Sequence, residues 1–185
     1  KSTVARKIAE AFDYPILEKD AIKEELFDVI GFENYSEKRR HDKAATAVLL
    51  RVTEALLMGN ASLVCVNNFK PEDQDRLHGI LDRTGCKTVM VFFGGDADVF
   101  YQRYVKRDQL HLRHLGHVLQ EHFPPHPGDS LEHDMSREEF REKFERLGMA
   151  EFRCKVPMIN IDATRPEDID VNALIEEIRT RLEQQ

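Results

Sequence analysis

Ser62-Leu63-Val64-Cys65-Val66 is a continuous apolar run closed by Gly59-Asn60 on one side and Asn67-Asn68 on the other. It is too short for a helix, and no polar residue alternates within it. That pattern suits a strand buried on both faces, as in a parallel sheet covered by helices. Lys87 to Phe93, with Thr88-Val89-Met90-Val91-Phe92 at its centre, reads the same way, and so does Val156 to Asp162. Tyr14-Pro15-Ile16-Leu17 suits a brief strand near an edge.

Helical spacing fills the intervals. Val4, Ile8, Ala11 and Phe12 share a face, so Ser2 to Phe12 is an amphipathic helix. Asp20 is placed to cap a second helix carrying Ile22, Leu26, Val29 and Ile30, with Gly31 as its stop. A third runs from roughly Ser36 to Met58 with Ala45, Val48, Leu49, Val52 and Leu56 on its inner side. Pro71 suits the first turn of a fourth, which holds Leu77, Ile80 and Leu81 and ends at Gly85. Asp96 caps a fifth, Ser136 and Glu139 form a capping box for a sixth reaching about Leu147, and Val171 to Leu182 make the last. Strands alternating with helices predict an α/β fold: one parallel sheet with helices on both faces.

The chain has 185 residues, which suits a single domain over 1–185. Its 27 Lys and Arg against 34 Asp and Glu give a formal charge of −7. So acidic a balance disfavours broad, sequence-independent nucleic-acid binding, although a local basic patch is compatible with it. No apolar run approaches the ~18–20 residues of a membrane span, and a soluble protein of the reducing cytoplasm is expected. Cys65, Cys86 and Cys154 are too few and too widely spaced for a disulfide framework or a zinc knuckle, and Cys65 reads as a core residue.

Lys1-Ser2-Thr3 gains meaning from its place at a helix start. A phosphate-binding loop, G-x-x-x-x-G-K-[ST], ends in these residue types at a helix N-terminus, where free N–H groups and the helix dipole attract phosphate. With the order of elements that follows, the chain resembles the P-loop small-molecule kinases, the AAA-type ATPase-like group of chloramphenicol phosphotransferase, zeta toxin, gluconate kinase and polynucleotide 5′-kinases. The resemblance spans nearly the whole chain but rests on few motifs. They are Lys1-Ser2-Thr3, Glu18-Lys19-Asp20-Ala21-Ile22, Arg103-Tyr104-Val105-Lys106-Arg107, Arg113-His114-Leu115-Gly116-His117 and Ile161-Asp162-Ala163-Thr164. It implies a three-layer P-loop sandwich with a lid near residues 108–135. The first strand and the glycine half of the loop, roughly ten residues, are then expected outside this stretch of sequence.

The resemblance also implies roles. Lys1 would contact β- and γ-phosphates, Ser2 would ligate Mg²⁺, Thr3 would touch the α-phosphate, and Ala163 and Thr164 would lie beside adenine. Asp20 would orient or deprotonate the acceptor hydroxyl, while Arg103, Arg107 and Arg113 offset transition-state charge. Asn67 stands where the family has a metal-shell Asp, and its amide would act through a bound water. Each residue also has a plainer role: a cap for Asp20, a solvated helix face for Arg103 and Arg107. The activity implied is ATP- and Mg²⁺-dependent phosphorylation of a hydroxyl on a small-molecule or nucleotide-like acceptor; a non-catalytic nucleotide-binding or regulatory protein is the alternative.

Six of the eight histidines, His111, His114, His117, His122, His126 and His133, fall between residues 108 and 135, beside Pro124, Pro125 and Pro127. Without apolar periodicity this stretch is expected to bury little and to form a mobile lid. A third function class comes from the same residues: His114 and His117 at i, i+3 could share a zinc ion with His111 or His122.

Overall fold

In the computed structural model, residues 1–110, 112–129, 135–146 and 154–185 are described. Helices α1 (Ser2–Phe12), α2 (Lys19–Ile30), α3 (Tyr35–Met58), α4 (Gln74–Thr84), α5 (Ala97–Gln109), α6 (Leu115–Val118), α7 (Arg137–Arg146) and α8 (Val171–Glu183) surround strands β1 (Ile16–Glu18), β2 (Val64–Val66), β3 (Met90–Gly94) and β4 (Met158–Asp162). Several termini follow local chemistry. The Asp96 side chain accepts from the Asp98 and Val99 amides, and Ser136 and Glu139 satisfy each other's backbone N–H groups. The start of α3 agrees with expectation to within one residue, whereas that of α2 differs. Asn34 caps α3 through the Glu37 amide, and α2 begins at Lys19, which puts Asp20 inside the first turn instead of at the cap. The expected end of α7 at Leu147 lies outside the described residues.

Among the described residues all pairing between named strands is parallel, as expected, but the sheet is not continuous. β1 pairs with β2 and β3 with β4, giving two separate two-stranded sheets. Between β2 and β3 lies a cavity of about 600 Å³, lined by Val64 and Cys65 on one side, Met90 and Val91 on the other, and Ile8 and Ile178 from the helices. The two strands cannot exchange hydrogen bonds across it, because ladder partners must approach to about 4.8 Å. Burial pushes the Cys65 thiol up to about 11, so it stays protonated beside Thr53. No helix among the described residues is long and apolar enough to cross a membrane.

The principal core joins α1, α8 and β4 through Val4, Ile8, Ile159, Leu174, Ile175 and Ile178. A second lies under α3 and α4 around Leu50, Leu77 and Ile80. A third corrects the expectation for residues 108–135. Phe27 and Phe32 pack with Leu119, Leu115 and Phe123, so the described part of that stretch is folded onto α2 and does bury side chains. Phe32 and Phe123 exchange backbone hydrogen bonds of 2.9 and 2.8 Å in an antiparallel bridge. Gly31 enters that bridge at φ +71°, and a Cβ there would come within 2.5 Å of the Phe123 carbonyl. Gly116 sits directly on the Phe27 ring, where a Cβ would meet Cδ2 at 2.3 Å.

Candidate active site at the carboxyl ends of the strands

Chain direction brings the polar motifs to one edge. Lys19 and Asp20 follow the end of β1, Asn67 and Asn68 the end of β2, Asp96 closely follows β3, and Ala163 and Thr164 follow β4. In open parallel sheets this carboxyl edge is where ligands bind. Lys1 joins it from the start of α1, its Nζ donating to Asn68 Oδ1 at 2.6 Å. Among the described residues no side chain caps α1, so its first-turn amides keep their donor capacity. Ser2 is half-buried and Thr3 exposed in that first turn.

Electrostatics tie these residues together. The protein packed around Lys1 lowers its pKa; Asp20 opposes that shift and Lys19 and Arg107 reinforce it. Burial raises the pKa of Asp20, but the nearby charges of Lys19, Lys1 and Lys23 outweigh it and hold the carboxyl below its ordinary value. Asp20 is therefore ionised at neutral pH, 3.8 Å from the Lys19 ammonium. Burial lowers the pKa of Arg107, Arg113 lowers it further, and Asp20 acts the other way. The Arg107 guanidinium donates to the Arg103 carbonyl at 3.3 Å and has no ion-pair partner among the described residues.

The other two arginines are engaged. Arg103 donates to the carbonyls of Ala163, at 2.6 Å, and Thr164. It thereby pins the loop after β4, which Thr164 Oγ1 also fastens by accepting from the Asp96 amide at 3.0 Å. Its guanidinium is thereby committed to two carbonyls of that loop. Arg113 pairs with the buried Asp108 at 2.9 Å and stacks on Tyr104, its guanidinium carbon 4.8 Å from the ring centroid. The Asn67 amide is buried, and among the described residues neither its Nδ2 nor its Oδ1 has a partner. Such an orphaned group, beside Asn68 and Lys1 at the end of a strand, is what a polar ligand or its water shell would satisfy.

One central residue was not foreseen. Asp42, in the first third of α3, accepts from Lys19 at 2.8 Å and Lys23 at 3.1 Å, with Lys70 at 3.4 Å. The signal for it was Lys19 and Lys23 at i, i+4 on one helix face, a like-charged pair that calls for a counter-charge. Burial raises the Asp42 pKa, yet Lys19 and Lys23 pull it well below the usual carboxylate range. A carboxylate depressed in the folded state adds stability above its unfolded pKa, near 3.8, and loses it as pH falls toward the folded value. Asp42→Asn should therefore lose about 2 kcal/mol at neutral pH, less than a fully buried pair would, because water still reaches the cluster. Its acid-unfolding limb below about pH 4 should also be shallower than that of the parent. Urea titrations from pH 7 downward measure both.

His114 and His117 do not share a ligand. His114 accepts the Gly116 amide on Nδ1, which leaves Nε2–H to donate to Asp28 at 2.9 Å. His117 Nε2 meets Glu24 at 3.0 Å, and burial, with Lys23 adding to it, pushes the His117 pKa down. Its imidazole is neutral and donates to that carboxylate. The zinc pair expected from their spacing is thus replaced by two bonds to different acids on α2, and His111 and His133 lie outside the described residues. The buried Lys38 ammonium completes the docking by donating to the carbonyls of His117, at 3.1 Å, and Leu119.

Parallel strand pairs flanked by helices, with Lys1, Lys19, Lys23, Asp20 and Arg107 gathered where the strands end, define a mixed α/β protein with a charged site at its carboxyl edge. A solved structure from Chloroflexus aurantiacus, described as a "putative kinase", has this fold: the TM-score is 0.72 at 22% identity, over 99% of this chain and 89% of that one. Comparison with protein families finds no matching family. Comparison with curated proteins finds no match.

Proposed function

We propose that the protein is a P-loop-type kinase, which transfers the γ-phosphoryl group of ATP to a hydroxyl of a small-molecule or nucleotide-like acceptor. The observation that carries this is the meeting of Lys1, at the uncapped start of α1, with Asp20 and Arg107 on the carboxyl edge of the strands. The gap between β2 and β3 adds support. Its walls are two open strand edges, and a parallel strand running into Lys1 would satisfy both, as the glycine-loop strand of such kinases does. The likeness to the Chloroflexus protein agrees with the same class of reaction.

The residues fit an anionic nucleotide with a metal: an uncapped helix start, an excess of cations, and an orphaned amide at Asn67. ATP with Mg²⁺ supplies the transferable phosphoryl group and neutralises part of its charge. Lys1 holds the terminal phosphates, the Ser2 hydroxyl and the Asn67 amide serve the metal and its water, and Thr3 approaches the α-phosphate. Ala163 and Thr164 present the adenine side, and Arg103 holds them there. Asp20, kept ionised by its neighbours, orients the acceptor hydroxyl and receives its proton as the oxygen bonds to phosphorus and ADP departs. Arg107, and Arg113 behind it, offset the charge that spreads over the transferring group.

Calorimetric titration with ATP–Mg²⁺, beside an ADP-release assay over a panel of hydroxyl acceptors, tests the proposal. Saturable binding with acceptor-dependent ADP release is expected, and Asp20→Asn should bind ATP normally while losing turnover. Binding without turnover for any acceptor would instead favour a non-catalytic nucleotide-binding protein. No binding at all would overturn both.

A further inference from the structure

Sequence spacing drew attention to His114 and His117, whereas the folded chain gathers a different set. His122, His126 and Asp129 place one donor atom each within 4.8 Å of one another. The His122 and His126 rings stack with centroids 4.1 Å apart, and His122 Nε2 lies 2.8 Å from Asp129 Oδ2. The Asp129 carboxylate and the His122 imidazole hold each other in place. The same Asp129 oxygen accepts the His126 amide at 2.6 Å, and the Asp129 amide returns a bond to the His126 carbonyl at 3.2 Å, closing a tight turn. Pro124, Pro125 and Pro127 limit the backbone between the ligands, and His122 directly precedes Phe123, which is held in the bridge to Phe32.

We infer that His122, His126 and Asp129 form a binding site for a borderline divalent transition metal, Zn²⁺ being the fitting probe. Two imidazoles and one carboxylate are nitrogen and oxygen donors of the kind zinc takes, whereas Mg²⁺ and Ca²⁺ prefer oxygen alone. Zinc bonds of about 2.0–2.2 Å put tetrahedral donors about 3.3–3.6 Å apart. The three side chains reach that spacing by small side-chain rotations, with the metal taking the place of the proton now shared by His122 and Asp129. His122 and Asp129 are roughly one-fifth exposed and His126 is open to solvent, so water completes the fourth position. The site lies beyond the C-terminal end of α2, about 15 Å along that helix from Asp20. It is therefore separate from the kinase proposal and stands or falls independently.

The test uses the whole chain without a His tag, dialysed against Zn²⁺ and analysed for metal content. One Zn²⁺ per chain is expected, together with a rise in melting temperature on addition of the metal. His126→Ala alters an exposed side chain and should leave the far-ultraviolet circular dichroism unchanged, yet weaken Zn²⁺ binding at least tenfold and abolish the thermal shift. Asp129→Asn is the second variant and should weaken binding in the same direction. Absence of stoichiometric Zn²⁺ in the parent protein overturns the inference. So does undiminished binding in His126→Ala, which would place the metal on the cysteines or on other histidines.

Discussion

Phe27→Ala should lower the free energy of unfolding by about 3–5 kcal/mol, the range for deleting a large aromatic side chain from a closed core. Phe27 is fully buried, and its ring contacts those of Phe32, His41, His114, His117 and Phe123. Through these rings Phe27 joins α2 to His41 of α3 and to residues 114–123. The loss should therefore appear in two measurements: a lower urea midpoint for the whole protein, and faster amide exchange across residues 113–119, beyond what the global change produces. Gly116→Val attacks the same contact from the other side. Because Phe27 has no space to retreat into, the added side chain must push residues 115–118 off α2, at about 1–3 kcal/mol or more. If Phe27→Ala left exchange at residues 113–119 in step with the rest of the protein, this aromatic cluster would not be what holds the segment.

The second large effect concerns Lys1. Its ammonium stands at the uncapped start of α1, with Asn68 as its hydrogen-bond partner and Asp20 and Arg107 nearby. In the proposed kinase, Lys1→Ala removes a fixed positive charge from the place where the transferring phosphoryl group becomes most charged. A loss of about 10²–10³ in kcat/KM is expected, comparable with removing one preorganised donor from a transition-state site. Melting temperature should change little, because Lys1 belongs to no hydrophobic cluster and its hydrogen bond to Asn68 lies at the surface. Steady-state kinetics and a thermal melt on the same preparation separate the two contributions. Equal activity in parent and variant would remove Lys1 from the chemistry, and with it the main support for a phosphate site at α1.

What could be read from the residues alone divides by the range of the interaction. Caps and stops are local, so Asp96, Ser136 with Glu139, Gly31 and Gly85 marked their helices correctly. The parallel sense of the strands was legible as well, since crossover helices lie between them. The split into two sheets was not, because nothing within β2 or β3 states which edge is paired. Residues 112–129 misled for a related reason. Leu115, Leu119 and Phe123 follow no sustained period because they belong to a four-residue helix, its C-terminal flank and a single bridge, and what they pack on is Phe27 of α2 and Phe32 just after it. At the site, motif resemblance drew attention to Lys1, Asp20 and Arg107, which do lie together. Spacing could not show that Arg103 faces two carbonyls or that Asp42 neutralises lysines from two other elements, since those partners come from distant parts of the chain.

The parallel pairing also governs how the molecule assembles. Ile16 pairs with Val64 and Met90 with Met158, partners separated by 48 and 68 residues, so neither ladder has a hairpin to start it. Each must close a long loop before its first hydrogen bond is gained, an entropic cost met early in the reaction. Contacts between α2 and α3 span a far shorter stretch and can form first, giving Lys19, Lys23 and Asp42 their geometry before the strands meet. Refolding should accordingly be slow for a protein so rich in helix, with helical signal recovering ahead of the burial of Ile159 and Ile178. A charged cluster set early, and a strand framework closed late around it, is the order of events this topology imposes.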